Sequence, residues 1–250
     1  MPRTQTHEIV IDAPIEAVWK AIADAEELTR WFVDEATVKP GVGGTFAISW
    51  DGAEKSESLI EVWEPNKKLR VALRPDMGPL KYDATTPPIL DEYTLERRDG
   101  KTVLRLVSSG IPDAPEWDGF YHGTDSGWRS FFRTLRHYLE HHRGQPRSTI
   151  KVIGQLSGPP EEAWARLLAA VQPLGTVVFE KPPSILETTI PELGEAYLAH
   201  SMSCAGGNNY VYTILSVYGK TPTEVDAIRA KWQPWLGQVL GVASPGHASL

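Results

Sequence analysis

One cysteine, Cys204, stands in 250 residues, so no disulfide can form within the chain and no cysteine-based metal site can be assembled. Cys204 is expected to pack as a small apolar side chain. Basic residues are outnumbered, 25 against 32 acidic, for a net charge of −7. That excess argues against nucleic acid, because phosphate binding needs a basic surface. It argues equally against an anionic membrane surface. No apolar run approaches the length of a spanning helix. The first eight residues lack the apolar core of a signal peptide, which places the expected site of action in the cytoplasm. Also missing are a Gly-x-Ser-x-Gly elbow, a phosphate loop and a dinucleotide fingerprint. The glycine run at 41–44 is turn chemistry before a strand, without the helix N-terminus that would hold phosphate. Gly206-Gly207-Asn208-Asn209 reads as a hairpin turn. The expectation is therefore no cofactor, no metal and no assigned catalytic residue.

Hydrophobic content of 41% and charged content of 23% are those of an ordinary globular protein. The charge is uneven. Residues 1–145 carry 18 Lys and Arg against 24 Asp and Glu; residues 146–250 carry 7 against 8. Periodicity then orders the chain. Residues 6–11 alternate and are rich in β-branched side chains, predicting a strand. Asp12-Ala13-Pro14 predicts a capped helix start, with Val18, Trp19 and Ile22 at helical spacing. A second short helix is predicted at 25–32, with Leu28, Trp31 and Phe32 buried. Strands are predicted at 44–50, 56–64 and 68–74, and the breaker-rich stretch 76–88 reads as a loop. A hairpin, 93–97 with 102–108, turns at Asp99-Gly100. A long amphipathic helix is predicted at 124–142.

A linker at 143–148 leads into residues 149–240, which read as a shortened copy of the first half: a strand, Pro159-Pro160 before a helix, four strands, and a final helix from Pro222 to Leu240 that Pro234 should kink. The predicted domains are thus 1–145 and 146–250. Near-neutral charge and the aromatics Tyr210, Tyr212, Tyr218, Trp232 and Trp235 suit the second to buried contact: against the first domain, over its cavity, or with a second copy of the chain in a homodimer.

Several fragments of the first half together resemble the START-like, helix-grip (SRPBCC) superfamily, and within it the family named for the activator of heat-shock protein 90 ATPase. They are Ala13-Pro14 with Val18-Trp19, Trp31-Phe32, Gly43-Gly44 with Phe46, Glu61-Val62-Trp63-Glu64-Pro65 to Lys68-Leu69, Ser108-Ser109-Gly110, and Gly127-Trp128 with Tyr138-Leu139-Glu140. The resemblance spans residues 6–143. It implies an α+β fold in which an antiparallel sheet wraps a long helix over an apolar cavity, a space that in such folds runs to about 300–1,000 Å³. The fold serves lipid carriers, cyclases and co-chaperones alike, so the resemblance carries architecture rather than activity. The eukaryotic co-chaperone role belongs to a protein with a further domain that is not recognisable here, and no chaperone partner is expected.

Nine tryptophans are present. Trp31, Phe46, Trp50, Trp63, Tyr93, Trp117, Tyr121, Trp128 and Phe132 all fall in elements able to line the grip, and are the expected contacts for a small hydrophobic or aromatic ligand. Trp117, Tyr121 and Trp128 are expected at its mouth. Binding without catalysis is the first expectation. A cyclase or hydrolase, or an interaction module, is the alternative. Convergent polar groups deep in the cavity would favour an enzyme. Tyr121 and His122 with Asp118 and Asp125 form a polar loop at the mouth. His137 and His141, spaced as metal ligands can be, fall on the predicted polar face of the long helix beside Ser130 and Arg133. Glu57, Glu61 and Arg105 are expected on the outer face of the sheet.

Overall fold

The computed structural model describes residues 1–50, 52, 56–74, 87–205 and 208–242. The loop expected at 76–88, apart from 87 and 88, lies outside the described residues, as do Gly206-Gly207 and the side chain of Cys204. The chain divides into two compact units, Met1–Gly144 and Gln145–Leu250. No helix among the described residues is long and apolar enough to cross a membrane.

In the first unit the order is β1 (Arg3–Ile11), α1 (Ile15–Ala23), α2 (Ala25–Thr29), β2 (Glu35–Val38), β3 (Thr45–Ser49), β4 (Ser56–Glu64), β5 (Lys68–Leu73), β6 (Ile89–Arg98), β7 (Lys101–Ile111) and α3 (Asp118–His141). The strands form one antiparallel sheet, ordered β1-β7-β6-β5-β4-β3-β2. This is the α+β helix-grip arrangement. Along β1, Gln5, His7 and Ile11 are buried while Thr4, Thr6, Glu8 and Val10 are exposed, as a period of two requires.

Several local expectations change. Asp12 does not cap α1. Pro14 occupies the N-cap position without a side-chain bond, and the Asp12 backbone N–H donates to Glu140 at 2.9 Å. Asp24 is the residue that caps, accepting from the Glu27 N–H at the start of α2. That helix ends at Thr29 instead of running to Phe32, which frees Trp31 and Phe32 to leave the helix surface. β2 carries no strong strand pattern of its own and exists by pairing with β3. The turn between them needs glycine at 44, where a Cβ would fall 1.9 Å from the Lys39 carbonyl oxygen. A bulge interrupts β4 between Ile60 and Val62, so Ile60 faces Val71 and Trp63 faces Leu69 across β5. Without it, residues three apart would point to opposite faces. Positive φ at Asp99 and Gly100 closes the β6–β7 hairpin as expected. α3 begins six residues early, directly after a 3-10 turn at Pro115–Trp117. Its two early glycines, Gly119 and Gly123, hide that first turn from propensity.

The second unit runs β8 (Arg147–Gln155), α4 (Pro160–Val171), β9 (Thr176–Lys181), β10 (Ile185–Ile190), β11 (Ala196–Ala205), β12 (Asn208–Tyr218) and α5 (Pro222–Leu240). Its sheet order, β8-β12-β11-β10-β9, repeats the first five positions of the other sheet strand for strand. Among the described residues it has no counterparts of α2, β2 and β3. α5 starts with a capping box between Thr221 and Glu224, continues through Pro234, and stops at Gly241 with φ 70°. Ile150, Leu167, Leu198, Leu215 and Leu236 are among the fully buried side chains that fill its core.

Candidate ligand-binding site

The face of the first sheet that packs toward α3 holds two adjacent cross-strand rows. One runs Gln5, Ser108, Asp91, Val71; the next runs His7, Leu106, Tyr93, Leu69. A sheet interior of this kind is normally apolar, yet Gln5, His7, Ser108 and Asp91 are all buried here. Ser108 Oγ donates to Asp91 Oδ1 at 2.5 Å. Burial dominates that bond and pushes the Asp91 carboxyl up to about 6 from an ordinary 3.8. Burial also raises the neighbouring Tyr93 phenol well above its usual value, and the Asp91 charge adds to the effect. Gln5 reaches α3, donating from Nε2 to the Tyr121 carbonyl and accepting at Oε1 from Thr124 Oγ1 at 3.2 Å.

Aromatic rings stand over these rows, with Phe32 at their centre. Its ring stacks on Trp31 at 4.9 Å and on Trp128 at 5.4 Å. It meets Trp50 at 5.2 Å and Phe131 at 4.8 Å edge to face. Trp128 in turn meets Tyr93 at 5.9 Å and Phe132 at 5.8 Å. Offset and T-shaped pairs are the favoured aromatic geometries. Trp31 Nε1 donates to the Ala21 carbonyl and Trp50 Nε1 to the Phe32 carbonyl, so both indoles are held in place by backbone. Of the expected contacts, Trp31, Trp50, Tyr93, Trp128 and Phe132 are thus brought into one cluster. Phe46 is buried on β3, opposite Ser58. Phe32 and Phe131 belong to the cluster without being among the expected contacts; the Trp31-Phe32 and Phe131-Phe132 doublets are the sequence signal for them.

The remaining expected residues lie elsewhere. Trp63 faces inward through the β4 bulge, and its ring contact is Trp19 of α1, at 5.2 Å. Trp117 packs in a small separate core with Ile89 and Ile111, against which Phe120 and Tyr121 rest. Tyr121 also carries the Arg3 guanidinium over its face at 4.6 Å. The polar mouth does not converge either: Asp118 pairs with Arg3 at 2.6 Å and Asp125 with Arg129 at 3.1 Å. His137, expected on a polar face, is buried, with His141 at 4.8 Å and His142 at 5.1 Å between ring centroids. Among the described residues no group of three or more His, Cys, Asp or Glu is placed to hold a metal ion. Glu57 and Arg105 are exposed on the outer face as expected; Glu61, in the bulge, is half-buried.

Tyr138 holds the roof. Fully buried on α3, its hydroxyl donates to Glu27 Oε2 of α2 at 2.6 Å and accepts from the Gly144 N–H at 2.9 Å. Burial, reinforced by the Glu27 carboxylate, pushes its phenol up to about 12. The bond ties α2 to α3 beside the point where Trp31 and Phe32 leave the helix. Two open depressions of about 260 and 420 Å³ lie in the second unit. One is bounded by Lys220, Val225 and Arg229, the other by Leu168, Val177 and Phe179; neither includes any of the nine expected contacts.

A family profile described as Activator of Hsp90 ATPase homolog 1-like protein matches residues 12–140, from the turn before α1 to the last turn of α3. The chain belongs to this family. Comparison with curated protein sequences returns no match. Among solved structures similar to this Hsp90-ATPase-activator-like chain is the solution structure of the Aha1 dimer from Colwellia psychrerythraea, 20% identical. The likeness covers 57% of this chain and 99% of that one, with TM-score 0.49. A protein from Mesorhizobium loti is 28% identical over 55% of this chain and 97% of its own, TM-score 0.48. DynU16, a putative protein in the dynemicin biosynthetic locus, is 16% identical over 95% of this chain and 96% of its own, TM-score 0.46.

Proposed function

We propose that the first unit binds a small aromatic molecule between its sheet and α3, without transforming it. The observation that carries this reading is the Phe32-centred ring cluster standing over a buried carboxyl. Trp128 and Phe131 in that cluster remain half-exposed, so a planar guest can enter by displacing rings that are not locked in a core. Stacking between Phe32 and Trp128 supplies apolar contact, and the Asp91–Ser108 pair supplies a polar end. The division into a complete domain, 1–145, and a shortened one, 146–250, belongs to the same proposal. Binding rests with the first, because the second, among its described residues, has no counterpart of the α2–β3 segment that carries Trp31, Phe32 and Phe46.

Native mass spectrometry of the protein as purified, with denaturation to release any bound molecule, tests the reading. A stoichiometric aromatic passenger supports it. A clean apo mass, together with no change in tryptophan fluorescence on adding naphthalene or β-naphthol, overturns it.

Cyclase or hydrolase chemistry is a second reading, favoured by one observation: polar groups converge on the inner face at Asp91 and Ser108. A carboxyl that keeps its proton to about pH 6 can donate it to a carbonyl oxygen and recover it later. Conversion of a bound carbonyl compound by the wild type, lost in Asp91→Asn with binding retained, would support this reading. Retained conversion in that variant would remove it.

A further inference from the structure

His7 is a buried side chain that no polar group completes. It is 4% exposed on β1, and both ring nitrogens are sealed from solvent without a hydrogen bond. Leaving a buried polar atom unpaired forfeits its hydration without replacement, so native interiors rarely do so. Its neighbour on the same strand face, Gln5, has both ends of its amide engaged. On this face of β1 the unmet bonding therefore belongs to His7.

The surroundings define what would fit. Asp125 Oδ1 lies 3.8 Å from His7 Nε2, too far for a hydrogen bond. Burial, with a smaller contribution from Arg129 and against the pull of Asp125, lowers the His7 pKa. The ring is neutral at physiological pH and offers one N–H and one lone pair. Nε2 is covered as it stands, so an oxygen reaches it only as the half-exposed rings of the cluster move aside; set beside Nε2 and Asp125 Oδ1 at ordinary bonding distances, it can accept from the first and donate to the second. That oxygen must carry a hydrogen, which a carbonyl, an ether or a carboxylate lacks. An anion would also face the Asp125 carboxylate. On the apolar side, Phe132 meets His7 edge to face at 6.3 Å and Trp128 at 5.8 Å, so the ring that borders His7 also borders the aromatic cluster.

We propose that His7 and Asp125 receive the hydroxyl of a neutral hydroxylated aromatic ligand whose ring system lies against Phe132 and Trp128. The proposal rests on the ligand-binding reading and names the class of its ligand: a phenol-like molecule rather than a bare hydrocarbon or an acid.

The test is titration of the full chain with β-naphthol, naphthalene and β-naphthoate, read by tryptophan fluorescence and calorimetry. Wild type should bind β-naphthol roughly tenfold or more tightly than naphthalene, the gain of two hydrogen bonds, one of them to a carboxylate. β-Naphthoate should bind more weakly than β-naphthol. Without partners the hydroxyl's desolvation would make β-naphthol no better than the hydrocarbon. In His7→Phe, and in Asp125→Ala on the half-exposed face of α3, the preference should collapse while naphthalene affinity stays. The second variant serves if the first does not fold. Naphthalene binding with no preference for β-naphthol in wild type overturns the proposal alone, and means that water completes His7. The same preference persisting in both variants overturns it too. No binding of either naphthalene or β-naphthol overturns the ligand-binding reading and the proposal together.

Discussion

The ring of Phe32 lies on that of Trp128, centroids 5.4 Å apart and planes inclined by 29°. Phe32 comes just after the short α2 and Trp128 stands on α3, so the stack joins segments far apart in the first unit's sequence. Removing either ring should have different consequences. Phe32 is 8% exposed and touches four other rings, so Phe32→Ala should cost about 3–5 kcal/mol of stability. Trp128 is half-exposed, so Trp128→Ala should cost less and mainly weaken ligand binding. Urea unfolding alongside naphthalene titration separates the two. Equal destabilisation by both would make Trp128 a core residue.

Asp91 should make the first unit more stable in mild acid. Its folded pKa of about 6 lies above the ordinary 3.8, so the folded state binds more protons than the unfolded chain between those values. Stability is full below pH 3.8 and falls as pH rises toward 6, by about 3 kcal/mol in all. Asp91→Asn keeps a partner for Ser108 and removes the charge. It should raise the urea midpoint above about pH 6 and leave it unchanged near pH 4. A wild-type slope preserved in the variant would place the titrating group elsewhere.

His200 should give the second unit the opposite slope. It is buried on β11, with Nδ1 bonded to Thr213 Oγ1 at 2.7 Å, and burial lowers its pKa to about 4 from 6.5. The unfolded chain therefore takes up the proton first. Stability is full above pH 6.5 and is lost as pH falls toward 4, by about 3 kcal/mol. His200→Leu should abolish that acid sensitivity. Monitoring unfolding through the amide signals of the second unit between about pH 4 and pH 7 decides it.

Tyr138→Phe should loosen the tie between α2 and α3. The variant keeps the ring and its packing but strips one hydrogen bond from the buried Glu27 carboxylate and one from the Gly144 N–H. A loss of about 1.5–3 kcal/mol is expected, with faster amide exchange in α2. Unchanged exchange there would show that Arg30, which also pairs with Glu27, suffices.

How far this protein is legible in its sequence depends on how local each cause is. The last helix is readable to its ends, Pro222 and Leu240, because proline at its start and glycine after it act within a few residues. So are the β6–β7 turn at Asp99-Gly100 and the burial alternation of β1. Five of the nine expected aromatics gather in one cluster because bulky rings at helix and strand positions seek the same interior. Trp117 does not join them, since the early start of α3 carries it onto Ile89 and Ile111 instead. His137 departs from its expected exposure because a helix's polar face can itself be covered.

The sequence alone determined the family, the α+β class, and the order of strand, helix, sheet and helix that each unit follows. Those rest on composition and on short-range periodicity, which the chain carries in itself. Only the tertiary structure decided that β4 bulges to turn Trp63 inward and that Ser108 meets Asp91. It alone placed His7 under α3 with Asp125 just beyond reach. Cross-strand register is set by hydrogen bonds between distant segments, and a shift of one residue sends every side chain to the other face. Burial of a polar group depends in the same way on what distant elements lay over it. The Asp91 carboxyl and the His7 imidazole acquire their chemistry from that cover.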